Sequence, residues 1–328
     1  MHTSSYLSEL IIIFLVTTPV VVILQKLRQP AIIGYLLAGI LLGPSTFGLV
    51  QNLQHIEMMA EVGVMLLLFS IGLEFSLAHL KELKRYIFIG GTLQVGLSII
   101  CVFIITRVFG FSIQESLILG FLVSLSSTAI VLKMLFDRGE MDSVQGEVAV
   151  GLLLLQDLCV VPMMLIMHSL GRAEVLFWHG ILIALLKAAL VVSILVISMR
   201  YLLPKLLILI ARMRNRELFS LCIVLICLGT AWATQKAGLS LALGAFLAGL
   251  ILAESEYCHY IAAEILPLRN LLSSLFFISI GMLLNVHFVR AFFPAVISMM
   301  GVVVLGKGII IAIIVYMLMR SVRIAILS

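Results

Sequence analysis

The sequence contains few charged residues. Aspartate, glutamate, lysine and arginine make up 11% of the 328 residues, and hydrophobic residues make up 63%. A soluble domain carries about 25% charged residues, so an ordinary soluble protein is excluded. The apolar segments are too long and too continuous for a transmembrane barrel. The composition therefore predicts an all-α polytopic membrane protein embedded in a lipid bilayer.

Cysteine is scarce as well, and no metal-binding pattern is present. The five cysteines are an odd number, which indicates free thiols rather than a disulfide framework. No Cys/His spacing resembles a metal site, so we expect no cofactor in this chain. No basic segment precedes the first apolar run, so we expect no cleaved signal peptide. The net charge of +5 is explained by lysines and arginines in the loops between spans, so we expect no nucleic-acid partner.

Apolar runs separated by short polar stretches predict eleven membrane spans. They lie at about 8–25, 31–49, 57–77, 86–108, 112–136, 146–170, 175–203, 217–235, 238–254, 267–287 and 291–319. With the N-terminus outside, fifteen lysines and arginines, Arg269 among them, fall in inside loops and four in outside loops. The positive-inside rule therefore predicts an external N-terminus.

The two halves of the chain resemble each other. The segment 33–42 matches 243–252, about 210 residues later, and 69–73 matches 278–282 at nearly the same offset. On the predicted topology the matching spans run in opposite directions, which is typical of the inverted repeats of secondary transporters. We predict a first repeat at about 1–172, a basic connection at 173–216 and an incomplete second repeat at 217–328. The counterparts of the spans at 112–136 and 146–170 would lie beyond the sequence.

Asp157 is an acidic residue near the middle of an apolar run, and Gln156 precedes it. An ionised carboxylate at that depth costs several kcal/mol unless it is compensated, so an intramembrane acid is usually functional. The alternative is that the pair only hydrogen-bonds two helices together. We favour Asp157 as a cation and proton site because one polar residue would suffice to join helices.

Two further features lie inside apolar runs. Hydroxyls cluster at Ser126, Ser127 and Thr128, where they could coordinate a cation or only bond back to their own helix. Lys307 lies well inside the last span between two glycines, and its ammonium must pair or face a polar cavity. We expect the cluster to bind the cation and Lys307 to compensate charge. Acids near the span ends could form an ion funnel: Glu61, Glu74, Glu254 and Glu256.

Taken together, these segments resemble the monovalent cation:proton antiporter-2 family, and in particular its Kef-type K+/H+ antiporters. The resemblance rests on Gly34–Gly39, Ser126–Ala129, Gln156–Asp157, Gly244–Gly249 and Ala253–Tyr257. It implies a Na+/H+-exchanger-like fold of thirteen helices, of which about eleven are present, with a first helix interruption at Ser126–Thr128. It also implies that Gln156 and Asp157 bind the ion and that Lys307 is the family's intramembrane lysine.

The resemblance implies exchange of K+ for H+ by a homodimer in the bacterial inner membrane, with a possible soluble nucleotide-binding domain or subunit as a regulator. One carboxylate that exchanges one cation for one proton predicts electroneutral transport. A Na+/H+ antiporter of the same fold is the first alternative, since one amide at position 156 does not decide selectivity. A ligand-gated K+ channel is an alternative from another class, but no filter-like carbonyl motif is present. An intramembrane hydrolase would need a second catalytic group, and no catalytic motif supports one.

Overall fold

The computed structural model describes residues 3–50, 53–74, 84–169, 215–236 and 240–320, together with a few isolated positions between 190 and 210. The predicted span at 175–203 and most of the predicted connection at 173–216 lie outside these described residues. The fold set out below is that of the described part of the chain.

The described residues fold almost entirely into α-helices. In chain order these are α1 (Thr3–Lys26), α2 (Ala31–Leu42), α3 (Leu53–Glu74), α4 (Gly91–Val108, preceded by a π-helical turn at Tyr86–Gly90), α5 (Ile113–Ser124), α6 (Thr128–Arg138), α7 (Val144–Ser169), α8 (Arg216–Lys236), α9 (Leu241–Leu252), α10 (Cys258–Met282), α11 (Val286–Ala291) and α12 (Phe293–Met319).

Within the described ranges, eight apolar helical segments are long enough to cross a bilayer, if α5 and α6 are counted together. The helices α2 and α9 are shorter, at 12 residues each, and are the two matching segments of the repeat. The all-α membrane architecture predicted from composition is confirmed, and the chain is an integral membrane protein. The number of thirteen helices for the whole fold stays a prediction.

Two predicted span boundaries are wrong. The second span is predicted to end near residue 49, but α2 ends at Leu42, because Gly43 and Pro44 stop the helix. The apolar pattern predicts that the tenth span begins near residue 267, with Arg269 in an inside loop. Instead, α10 begins at Cys258, and Arg269 lies within the helix with 2% of its surface exposed. Its guanidinium donates to the side-chain oxygen of the next residue, Asn270, at 3.1 Å, and Asn270 is exposed. The sequence assigns Arg269 to a loop because a basic side chain at the edge of an apolar run is expected on the inside, in water.

The helices pack into two compact units. The first comprises Met1–Leu67 and Ala263–Met300. Its core joins Ile13, Leu42, Ile56, Leu275 and Ile278. Glycines allow the backbones within this unit to touch: a Cβ on Gly39 would lie 2.1 Å from the carbonyl oxygen of Ile278. The first unit therefore combines helices from both halves of the sequence repeat.

The second unit comprises Leu68–Ala262 and Gly301–Ser328. Val148 and Leu152 of α7 pack against Val315 of α12. Farther along α7, Met163 packs with Val95 of α4 and Phe121 of α5, so α7 contacts both α12 and the α4–α5 pair. The predicted functional pair Gln156–Asp157 lies between these two contact regions of α7.

The structure repeats its close helix contacts at the offset found in the sequence. Gly34 of α2 faces Val21 of α1, and a Cβ on this glycine would lie 3.1 Å from the Val21 Cα. Gly244 of α9, which lies 210 residues later, faces Ala231 of α8, and the corresponding distance to the Ala231 Cα is 2.8 Å. Two further glycine contacts are related to each other by nearly the same offset. Gly39 contacts Gly281 in the first unit, and the corresponding residues, Gly249 and Gly72, contact each other in the second. Small residues at these positions let helices approach closely in a membrane.

Candidate functional site at a helix interruption

The predicted hydroxyl cluster lies where two helices are interrupted. α5 begins with a capping box, in which Ser112 accepts from the Glu115 N–H and the Glu115 carboxylate accepts from the Ser112 N–H. It ends at Ser124, and α6 begins at Thr128. Leu125 has an extended backbone (φ −79°, ψ 152°), so the helical hydrogen bonds stop without a proline. The interruption expected from the family resemblance is therefore present at this position.

Side chains from other helices bind the backbone groups that the interruption leaves without helical partners. The Ser126 N–H donates to Gln156 Oε1 at 2.7 Å. The Ser124 carbonyl accepts from Gln94 Nε2 at 3.1 Å, and the Leu125 carbonyl accepts from Lys307 Nζ. Irregular backbone inside a membrane is tolerated only where such partners exist. Three helices, α4, α7 and α12, therefore stabilise this one interruption.

Asp157 is held beside the start of α6. The Thr128 hydroxyl donates to Asp157 Oδ1 at 3.1 Å. Ser127 caps α6, and its Oγ accepts from the Ile130 N–H. Of the three hydroxyl residues predicted as ion ligands, Thr128 contacts Asp157 through its side chain, Ser126 contacts Gln156 through its backbone, and Ser127 serves the helix end. Ser127 is exposed.

Lys307 of α12 reaches the same interruption but binds a carbonyl there. Its ammonium donates to the Leu125 carbonyl oxygen, at the C-terminal end of α5. Carbonyls at a helix C-terminus carry partial negative charge, so a lysine is well placed there. Among the described residues no ion pair joins Lys307 to Asp157. The role of Lys307 in charge compensation stays a prediction.

A small cavity adjoins the carboxylate. Its lining includes two polar residues, Asp157 and Thr128, and its remaining lining residues are apolar: Leu68, Leu132, Val150, Leu153, Leu154, Ala242, Leu243 and Phe246. All of these residues belong to the second unit. An ionised carboxylate beside such an apolar lining is costly, so the group is expected to bind a cation or to be protonated.

Among the described side chains, those of the predicted ion-funnel acids Glu61, Glu254 and Glu256 make no hydrogen bond to this network. Glu61, Glu254 and Glu256 are exposed, and Glu74 is the last residue of α3. Exposed acids could attract cations to a mouth, but no contact among the described residues links them to Asp157. Their role as a funnel stays a prediction.

Sequence reasoning missed Gln94. This amide lies in α4, is 0% exposed and contacts both Gln156 and the interruption. A polar side chain inside the apolar run at 86–108 was available as a signal, by the same argument that singled out Asp157.

The family model that describes the sodium/hydrogen exchanger transmembrane domain matches residues 10–328. The chain therefore belongs to this family of membrane proteins.

Several curated relatives carry more specific names. The chain is 39% identical over 266 residues to a putative K(+) efflux antiporter KefB of Alkalimonas amylolytica, covering 81% of this chain and 40% of the relative. It is 35% identical to a glutathione-regulated potassium-efflux system protein of Haemophilus influenzae, covering 92% and 49%, respectively. For K(+) efflux antiporter 5 of Arabidopsis thaliana the identity is 34%, with coverage of 97% and 57%. The Kef-type resemblance is confirmed, and the chain spans about half the length of these relatives.

Among solved structures, the sodium proton antiporter MjNhaP1 from Methanocaldococcus jannaschii is similar, with a TM-score of 0.68. The similarity covers 98% of this chain and 81% of that chain at 17% sequence identity. The exchanger fold implied by the family resemblance is thereby confirmed.

Proposed function

We propose that this chain is the transport domain of a K+/H+ antiporter, a secondary transporter rather than an enzyme, and that K+ and H+ compete for Asp157. The observation that carries the proposal is the position of this carboxylate. It accepts a hydrogen bond from Thr128 at a helix interruption and faces a largely apolar cavity. Because the charged form is costly there, the carboxylate holds either a proton or a dehydrated cation.

The potassium assignment draws on the relatives. Three of them are named as potassium-efflux proteins, at 34–39% identity. One carboxylate that exchanges one K+ for one H+ predicts electroneutral transport. Rocking of one bundle against another would expose the site to the two sides in turn.

Within the site we assign different tasks to the predicted ligands. Asp157 and Thr128 present oxygens to the cavity and are the proposed direct ligands, with a carbonyl or hydroxyl of the interruption at Ser126–Ser127 completing the shell. Gln156 uses its oxygen for the Ser126 N–H and its nitrogen for Gln94. Its main task is therefore to hold the interruption beside Asp157, and one lone pair of Oε1 remains for a cation. Lys307 compensates the Leu125 carbonyl.

Na+/H+ exchange is the second candidate, and it is favoured by the description of the matching family as sodium/hydrogen exchangers. The test is to reconstitute the purified full-length protein in proteoliposomes with a pH-sensitive dye inside, and to add K+, Na+ or Li+ against a preset proton gradient. A response to K+ alone, saturating and insensitive to an imposed membrane potential, supports electroneutral K+/H+ exchange. A response to Na+ or Li+ without K+ would replace potassium by sodium. Flux that neither saturates nor depends on the proton gradient would favour a channel.

We also propose an orientation in the membrane, an oligomeric state and a means of regulation. The distribution of lysine and arginine supports an external N-terminus. The family resemblance supports a homodimer in the bacterial inner membrane. The greater length of the relatives supports a further soluble segment, which could bind a nucleotide and regulate transport.

A further inference from the structure

Gln94 connects the two sides of the helix interruption through Gln156. Its Oε1 accepts from Gln156 Nε2 at 2.6 Å, and its Nε2 donates to the Ser124 carbonyl at 3.1 Å and to Ser98 Oγ at 3.1 Å. Gln94 is 0% exposed and Gln156 is 2% exposed. Both ends of both amides are therefore satisfied inside the protein.

The backbone fixes the direction of this chain of hydrogen bonds. The Ser126 N–H can only donate, so Gln156 must present its oxygen to it and its nitrogen to Gln94. The Ser124 carbonyl can only accept, so Gln94 must present its nitrogen to it and its oxygen to Gln156. Each amide has one orientation that satisfies its neighbours. The two glutamines thus form a bridge between the carbonyl of residue 124 and the N–H of residue 126.

This bridge has a charged counterpart on α12. Lys307 donates to the Leu125 carbonyl, next to the Ser124 carbonyl that Gln94 binds. Lys307 follows Ser98 by 209 residues, the offset that relates Gly72 to Gly281. The corresponding helices of the repeat, α4 and α12, therefore each supply a donor to consecutive carbonyls at the end of α5, one neutral and one cationic.

We propose that Gln94 is a positioning residue for the cation site. This inference rests on the proposed function. Gln94 does not contact Asp157; it acts through Gln156, the residue next to Asp157 on α7, and through the interruption that begins α6 and presents Thr128. Loss of Gln94 frees Gln156 to rotate and leaves the Ser124 carbonyl without this donor. The oxygens around the cation are then held less firmly, while the carboxylate that exchanges the proton remains.

The consequence for transport is specific. Partners that orient direct ligands without touching the ion typically change ion affinity about 10- to 100-fold when they are removed. We expect Gln94→Leu to raise the half-saturating K+ concentration by about that factor and to narrow the preference for K+ over Na+, while the maximal exchange rate falls much less. Gln94→Glu keeps the size of the side chain and an acceptor for Gln156. Because a charged carboxylate is costly at this buried position, the side chain takes up a proton, and its O–H can replace the amide donor to the Ser124 carbonyl. This variant should show the same changes to a smaller extent.

The test measures exchange in proteoliposomes at several K+ and Na+ concentrations for wild type, both Gln94 variants and Thr106→Val. Thr106 is the matched control, because its hydroxyl lies in α4 but donates to the Val102 and Phe103 carbonyls of its own helix. The melting temperature with and without K+ is a second measurement, since a cation that binds the folded state raises it. If Gln94→Leu does not fold, Gln94→Glu provides the same comparisons.

The inference would be overturned if the Gln94 variants kept the wild-type half-saturating K+ concentration, the wild-type preference for K+ over Na+ and the wild-type rise of melting temperature with K+. This holds even if the variants were less stable than wild type. In that case Gln94 would be a structural residue alone. A wild-type protein that exchanges Na+ but not K+ would overturn the potassium proposal only, and the Na+ half-saturation would then test Gln94. A wild-type protein that exchanges and binds neither cation would overturn both.

Discussion

Gly39 and Gly281 are in backbone contact: a Cβ on Gly281 would lie 3.0 Å from the Cα of Gly39 and 2.2 Å from the carbonyl oxygen of Leu36. The same relationship holds between Gly72 and Gly249, where a Cβ on Gly249 would lie 2.0 Å from the Phe69 carbonyl oxygen. Each pair joins one glycine from each half of the repeat. The matching sequence segments therefore mark the places where the two halves of the chain touch.

These contacts predict a strong effect of a single methyl group. Alanine at Gly39, Gly281, Gly72 or Gly249 must displace backbone atoms, and overpacking of this kind costs about 1–3 kcal/mol or more. We expect a lower melting temperature of the detergent-purified protein for each variant. The control is Gly229→Ala in α8, where nothing lies within 4 Å of the added Cβ. That variant should be at least as stable as wild type, because alanine favours a helix over glycine. Equal stability of Gly281→Ala and Gly229→Ala would contradict the packing described here.

Asp157→Asn should abolish coupled exchange. The amide has a similar shape, so Thr128 and the interruption can stay in place, but it neither releases a proton nor neutralises a cation. The measurement is the K+-driven change of internal pH in proteoliposomes. Asp142→Asn is the control, because Asp142 is an exposed carboxylate outside the cavity. Exchange by Asp157→Asn at the wild-type rate would reduce Gln156 and Asp157 to a pair that only joins helices.

Thr128→Val should weaken cation binding without abolishing exchange. The valine has nearly the size of threonine but removes the donor to Asp157 Oδ1. A hydrogen bond to a charged group contributes about 1.5–3 kcal/mol, and it favours the ionised carboxylate. The half-saturating K+ concentration should therefore rise at neutral pH, and the difference from wild type should grow as pH falls. Thr128→Ser restores the donor and should restore most of the affinity. A serine variant as weak as the valine variant would argue against this hydrogen bond.

Lys307→Met should lower stability as well as transport. Methionine fills similar space but leaves the Leu125 carbonyl without this donor, and an unsatisfied buried acceptor costs about 1–3 kcal/mol. We expect a lower melting temperature and a slower maximal rate, with partial recovery in Lys307→Arg. The control is Lys26→Met at the exposed end of α1. If Lys307→Met melts like wild type, the lysine does not stabilise the interruption.

Much of this architecture could be predicted from the sequence because the bilayer imposes simple rules. Long apolar runs gave the spans, although the second was predicted to reach residue 49 and α2 ends at Leu42, where Gly43 and Pro44 interrupt the run. The repeat offset of about 210 residues recurs in the contacts of Gly34 and Gly244. The spans depend on neighbouring residues, and the repeat is found by comparing two segments of the same sequence. The sequence alone was therefore sufficient for the approximate spans and for the repeat.

The interruption itself could not be located from local sequence. Nothing between Ser124 and Thr128 forbids a helix, and the position came from family resemblance. Its cause is tertiary: Gln94 and Gln156 lie 30 residues from their backbone partners along the chain, and Lys307 lies 182 residues from Leu125. Arg269 was misplaced for a related reason, since its burial results from the packing of α10, which begins at Cys258 and contains this residue. The position of the interruption depends on residues far away along the chain, whereas the placement of Arg269 depends on the extent of the folded α10.

Competition between K+ and H+ for one carboxylate is the central claim, and the most direct test is the half-saturating K+ concentration as a function of pH. The measurement uses reconstituted wild-type protein, with pH equal on both sides before K+ is added. Competition predicts that the half-saturating concentration rises in proportion to the proton concentration towards low pH, while the maximal rate at saturating K+ stays constant. A half-saturating concentration that is independent of pH, with a maximal rate that falls instead, would mean that K+ and H+ bind at separate sites and would contradict the account.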